Sequence, residues 1–154
     1  GHTPSSHGDS AALFESIAHD IVPTRARYGT TITLDVPERP FPLGTSPDRA
    51  LLIVTRMLDW VLRFSRPKTQ VHLQVISQPH AWRIEVHGPD AEVSAKGALQ
   101  PYANLYRHDH GVRHVPEFGL GGRIAHEVAV AAGWTLGVEG SVGDGLRLWA
   151  DVPR

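Results

Sequence analysis

The sequence predicts an α+β domain, a mixed sheet with helices layered on one face. Three observations carry that prediction. Helical and strand periodicities follow one another as helix, strand, helix, a run of strands, loop, helix and hairpin. The 154 residues suit one domain with one core. Apolar runs stay short: Ala50–Val54 and Val128–Ala132 are five residues each, where a membrane helix needs about 20. Fifteen basic residues stand against 16 acidic ones, so bulk charge recruits neither nucleic acid nor a membrane. Zero cysteines exclude disulfides, thiolate catalysis and cysteine-held zinc, and fix no compartment.

Gly1-His2 reads as a tag scar and Thr3–Asp9 is small and polar, so residues 1–9 are expected to be scar and linker remnant, with the domain at 10–154. Ala11, Leu13, Phe14, Ile17, Ala18 and Ile21 recur at helical spacing behind Asp9 or Ser10 as cap. Pro23 is expected to bend or end that helix, and Tyr28-Gly29 to stop it. Thr30–Val36 alternates β-branched residues as a half-buried strand does, and Pro37–Thr45, with three prolines and a glycine, is a loop.

Ser46-Pro47-Asp48 starts a second helix, with a capping hydroxyl, a proline at the first helical position and an acid in the first turn. It should reach about Ser65, with Leu51, Val54, Leu58, Val61 and Leu62 as its apolar face and Arg56, Asp59, Trp60 and Arg63 on another side. After the turn Arg66–Thr69, Val71, Leu73 and Val75 alternate in one strand and Trp82, Ile84 and Val86 in the next, joined at Ser77–His80. His87 to Phe118 is a long loop-like span rich in histidine. Gly119-Leu120-Gly121-Gly122 opens a third helix carrying Ile124, Val128 and Ala131, with Gly133 placed to end it. Strands Thr135–Glu139 and Leu146–Val152 close the chain across Gly140–Gly145.

This order and these local words resemble the ATP-binding domain of bacterial sensor histidine kinases, a GHKL ATPase. The resemblance covers Ser10 to Pro153. Gly119–Gly133 looks like the family's glycine box and following helix, and Glu139–Gly145 like its closing hairpin. Met57-Leu58-Asp59-Trp60-Val61-Leu62-Arg63-Phe64-Ser65 stands where such kinases read Leu-Leu-Asp-Asn-Ala-Leu-Lys-Tyr-Ser, and Tyr102–Arg107 looks like a weakened lid aromatic box. The resemblance implies a two-layer sandwich of GHKL (Bergerat) type, with a mostly antiparallel mixed sheet on about three helices and a lid at about 88–118.

The departures fall on the nucleotide site. The family's asparagine that coordinates magnesium matches Trp60, an indole with no acceptor oxygen, and a second asparagine one turn earlier matches Arg56, a permanent cation. The adenine-binding aspartate has no clear match in His87-Gly88-Pro89-Asp90-Ala91, where Asp90 could substitute from a shifted position. The phosphate-facing turn survives best, as Gly119, Leu120 and Gly121. Arg56, Trp60, Arg63, His87, Asp90, Gly119, Leu120 and Gly121 are thus the candidate, degenerate nucleotide pocket, with no catalytic residue and no metal ligand assigned.

Arg56 and Trp60, four apart, can stack as a cation–π pair filling the space of phosphate and metal. Alternatively Arg56 and Arg63 hold phosphates directly, with guanidinium replacing magnesium. His108, Asp109, His110 and His114 offer His-x-His spacing to a zinc ion, against the plainer reading of a solvated loop. Neither a Gly-x-Ser-x-Gly elbow nor a P-loop word occurs.

The expectation is therefore a degenerate domain of a histidine-kinase-like two-component protein that acts through protein contacts, with no cofactor expected. An active kinase domain that binds ATP through atypical residues, with or without magnesium, stays as one alternative. A sensor for another small anion is the second. The resemblance implies a cytoplasmic domain whose partners are its parent's dimerisation and phosphoacceptor helices, another histidine kinase or a response regulator. It implies no nucleic acid and no membrane contact, and no autophosphorylation by this fragment alone.

Overall fold

The computed structural model describes residues 8–26, 29–91, 120–141 and 144–154. The chain begins with α1 (Ser10–Ser16), capped by the Asp9 carboxylate on the Ala11 amide at 3.0 Å. A π-helical turn, Ile17–Ile21, follows, then the short α2 (Val22–Arg25). Pro23 was the expected break, and the change of winding comes just before it. Proline has no N–H to give to the carbonyl four residues back, and the Val22 amide reaches instead to Ile17 O, one residue further than an α-helix would.

Strand β1 (Thr31–Asp35) leads through the proline loop to α3 (Pro47–Phe64), which Ser46 caps by accepting from the Arg49 amide at 3.2 Å. Strands β2 (Gln70–Ser77) and β3 (Ala81–Gly88) form the expected hairpin, each longer than its apolar alternation. Helix α4 (Leu120–Ala132) ends at Gly133, whose φ of 81° is the left-handed conformation a helix stop favours. Strands β4 (Thr135–Ser141) and β5 (Gly145–Pro153) complete a five-stranded sheet of order β1-β2-β3-β5-β4. Only β1–β2 is parallel; α3 supplies the crossover that a parallel pair requires.

Register places apolar residue against apolar residue: Ile32 with Val71, Val75 with Ile84, Val86 and Val138 with Leu148. Because side chains alternate, every such pair falls on the face that α3 covers. The core runs from Leu13 and Ile17 through Ile53, Val54, Met57, Leu58 and Val61 of α3 to Ile84, Leu146 and Leu148, all buried. Phe41 and Leu43, inside the proline loop, are buried too, and the Trp134 indole donates to Leu43 O at 2.8 Å.

One expected facet is corrected. Leu51 and Leu62 are only half-buried, whereas Trp60, expected beside the charged residues, is 4% exposed. The buried arc of α3 is wider and rotated toward Trp60. The helix sits between α1, α4 and the sheet, and three contacts bury more than one stripe. No helix among the described residues is long and apolar enough to cross a membrane.

Candidate functional site

The candidate site gathers at the C-terminal end of α3. The helix stops because Ser65 turns extended (φ −90°, ψ 146°), pairs as an isolated bridge with Ala91, and donates its hydroxyl back to Val61 O at 2.8 Å. Gly88 lets the end of β3 pass directly under this turn. A Cβ there would stand 2.7 Å from a Val61 methyl and 2.9 Å from Ser65 Oγ, closer than packed atoms approach. Gly145, at φ 79°, meets the Gly88 carbonyl and Pro89 backbone to backbone. The exit of β3 and the entry to β5 are therefore held tightly beneath α3.

Of the predicted residues, Trp60 lies inward, its ring 4.7 Å from that of Phe64 at 55°. The cation beside this aromatic pair is Arg63, 5.6 Å from the Phe64 centroid. The expected Arg56–Trp60 stack does not form; Arg56 is exposed, with no ring or ion-pair contact among the described residues. The contact that forms is between chain neighbours, Arg63 and Phe64.

His87 is half-buried at the end of β3, with Nε2 2.8 Å from the Asp144 carbonyl. A carbonyl only accepts, so Nε2 carries the proton. Asp90 is exposed in the turn after β3. Leu120 and Gly121 open α4, while Gly119 and the residues His108, Asp109, His110 and His114 lie outside the described residues. Thus Trp60 and Arg63 lie together at the C-terminal end of α3, whereas His87 is on the sheet face away from the helices, beside Arg147 and Asp144, and is not brought to them. Among the described residues no group of three or more His, Asp or Glu could hold a metal ion.

Sequence reading missed two constellations. In one, Arg25 of α2 grips Asp59 of α3 with both ends of its guanidinium, at 2.9 and 3.1 Å, and its NH1 reaches Thr24 Oγ1 at 2.7 Å. The hydrogen bond to Asp59, more than its charge, raises the Arg25 pKa above its ordinary value against the opposing effect of burial. The partners are 34 residues apart, so only the expected charged stripe on α3 could have hinted at them. In the other, the sheet face away from the helices carries a polar row. Glu85, 5% exposed, accepts from Gln74 at 2.7 Å and Arg147 at 3.0 Å, and Arg147 also reaches Asp144. That pairing holds the Asp144 carboxyl below its ordinary range. The signal was period two, with polar residues at 83, 85 and 87 alternating with Ile84 and Val86.

By sequence, neither a protein-family model nor a curated protein matches the chain. By structure, it is similar to the mycobacterial sensor histidine kinase MprB, at a TM-score of 0.68 and 17% identity over 96% of this chain and 95% of that one. The Acinetobacter baumannii histidine kinase AdeS matches at 0.66 and 12% identity, over 98% and 68%. The histidine kinase domain of the Erythrobacter litoralis EL346 blue-light activated histidine kinase matches at 0.66 and 19%, over 99% and 65%. The chain has the histidine kinase ATPase-domain fold. In this fold α3, the helix that the sequence resemblance singled out, covers one face of the sheet and carries Trp60 and Arg63.

For magnesium the donors at positions 56 and 60 do not fit. A hard divalent cation takes oxygen lone pairs; the Trp60 indole offers only an N–H on a buried ring, and Arg56 offers a positive charge.

Proposed function

We propose that this chain is a degenerate nucleotide-binding domain of a histidine-kinase-like two-component signalling protein, one that does not take up magnesium-ATP in the usual way and regulates through protein contacts. One observation carries the reading. At the position where the resemblance places a magnesium-binding asparagine, the chain buries an indole, 4% exposed and packed on Phe64. Apolar surface there stabilises the folded domain, and it leaves a hard cation without a ligand. The partners proposed are the parent protein's dimerisation and phosphoacceptor helices, another histidine kinase or a response regulator, in the cytoplasm. Neither nucleic acid nor a membrane is a proposed partner.

The test is calorimetric titration of the domain with ATP, with and without magnesium, into the millimolar range, for the natural chain and for Trp60→Asn. No heat from the natural chain in either condition, with binding restored by Trp60→Asn in magnesium, is the expected result. Magnesium-strengthened binding by the natural chain overturns the reading in favour of an active kinase domain. Binding indifferent to magnesium assigns the phosphates to arginine.

A further inference from the structure

We propose that the cleft between α2 and the outer stripe of α3 is a binding site for a small organic oxyanion, one that shares Arg63 with the candidate nucleotide pocket and adds Arg25 and Thr30. It has a volume of about 450 Å³, within the range of small-molecule sites, and its lining includes Arg25, Thr30, Asp59, Leu62, Arg63 and Ser65. Asp59, Leu62 and Arg63 lie one helical turn apart on a stripe beside the one that carries Trp60 and Phe64.

The hydrogen-bond inventory of the cleft selects the ligand. Both Asp59 oxygens are taken by the Arg25 fork, so the one acid in the lining among the described residues is neutralised. Arg63 is exposed and has no acidic partner among the described residues; its guanidinium stands over the Phe64 ring. The Thr30 hydroxyl likewise has no hydrogen bond among them, whereas Ser65 Oγ spends its proton on Val61 O and offers only lone pairs. The cleft therefore presents a net positive charge, a guanidinium and a hydroxyl as donors, one acceptor, and Leu62 and Pro67 as apolar floor. A carboxylate or phosphate ester on a short hydroxylated carbon chain complements every one of these. The π turn at Ile17–Ile21 adds a second observation. It directly precedes α2, whose Arg25 reaches Asp59 of α3, and π turns concentrate at functional sites.

Amide NMR titration of the domain in nucleotide-free, magnesium-free buffer tests this, with inorganic phosphate and malate as probes to about 20 mM, well beyond the millimolar Kd of a weak site. Expected are shifts at the amides of residues 24, 25, 30 and 62–65, with phosphate alone assigning a phosphoryl ligand and malate alone a carboxylate. Arg63→Gln weakens binding about tenfold, as loss of a charge-assisted hydrogen bond does. Asp59→Asn strengthens it severalfold by freeing Arg25. Arg49→Gln, an equal loss of charge at the far end of α3, changes nothing. The proposal is overturned if neither probe shifts these amides, if the shifts map to the start of α4 instead, or if Arg49→Gln weakens binding as much as Arg63→Gln. Because Arg63 is shared with the candidate nucleotide pocket, the shifts at residues 24, 25 and 30 and the gain in Asp59→Asn, read without nucleotide, separate this site from the outcome of the ATP titration.

Discussion

Position 60 shows how one side chain can exchange a ligand for packing: an asparagine there would offer a lone pair, and the indole offers buried surface on Phe64. Two other residues repay single substitutions. Gly137 lies in β4 against the Trp149 ring, so Gly137→Ala drives a methyl into the indole and is expected to cost about 1–3 kcal/mol in urea unfolding, with altered near-ultraviolet dichroism. Asp144 is exposed, and its carboxyl is depressed first by the Arg147 hydrogen bond, then by the Arg147 charge, with His87 adding least. A depressed carboxylate stabilises fully above its ordinary value of 3.8 and loses that stabilisation as pH falls through the folded value. The gap in stability between the natural chain and Asp144→Asn should therefore be constant near neutrality and close below about pH 4, read from thermal melts across pH.

At the scale of elements, α3 was the most legible, because its start is written in three adjacent residues: the Ser46 cap, Pro47 and Asp48. The buried face was less legible. Periodicity gives the direction of an amphipathic stripe, while its width depends on how many neighbours pack around the helix, and that includes strands and a helix far along the chain. The Arg25–Asp59 fork joins α2 to α3 in the same non-local way. Both side chains are about a third exposed, so a double-mutant cycle on Arg25→Ala and Asp59→Ala is expected to give a coupling of only about 0.2–1 kcal/mol, smaller still at high salt. A coupling well above this would mean that the pair is shielded from solvent by more than the cleft walls.

Across the whole molecule, α3 and the central strands β2, β3 and β5 share most of the fully buried side chains, whereas β1 and β4 are edges. Amide exchange should accordingly be slowest in β3, β5 and the middle of α3, and faster in β1 and β4; equal protection across all five strands would show that the edges are covered by something else. The sequence by itself determined the class of fold, the element order, the capped start of α3, the hairpins and the glycine stop after α4. Each of these follows from neighbouring residues: period, caps and turn chemistry act within a few positions. Only the tertiary structure decided that Trp60 faces inward, that Arg63 and not Arg56 meets the aromatic pair, that Arg25 reaches Asp59, and that Glu85 is buried on the polar face. Those outcomes rest on contacts between residues far apart in the chain, and no local pattern encodes which distant surface a side chain will meet.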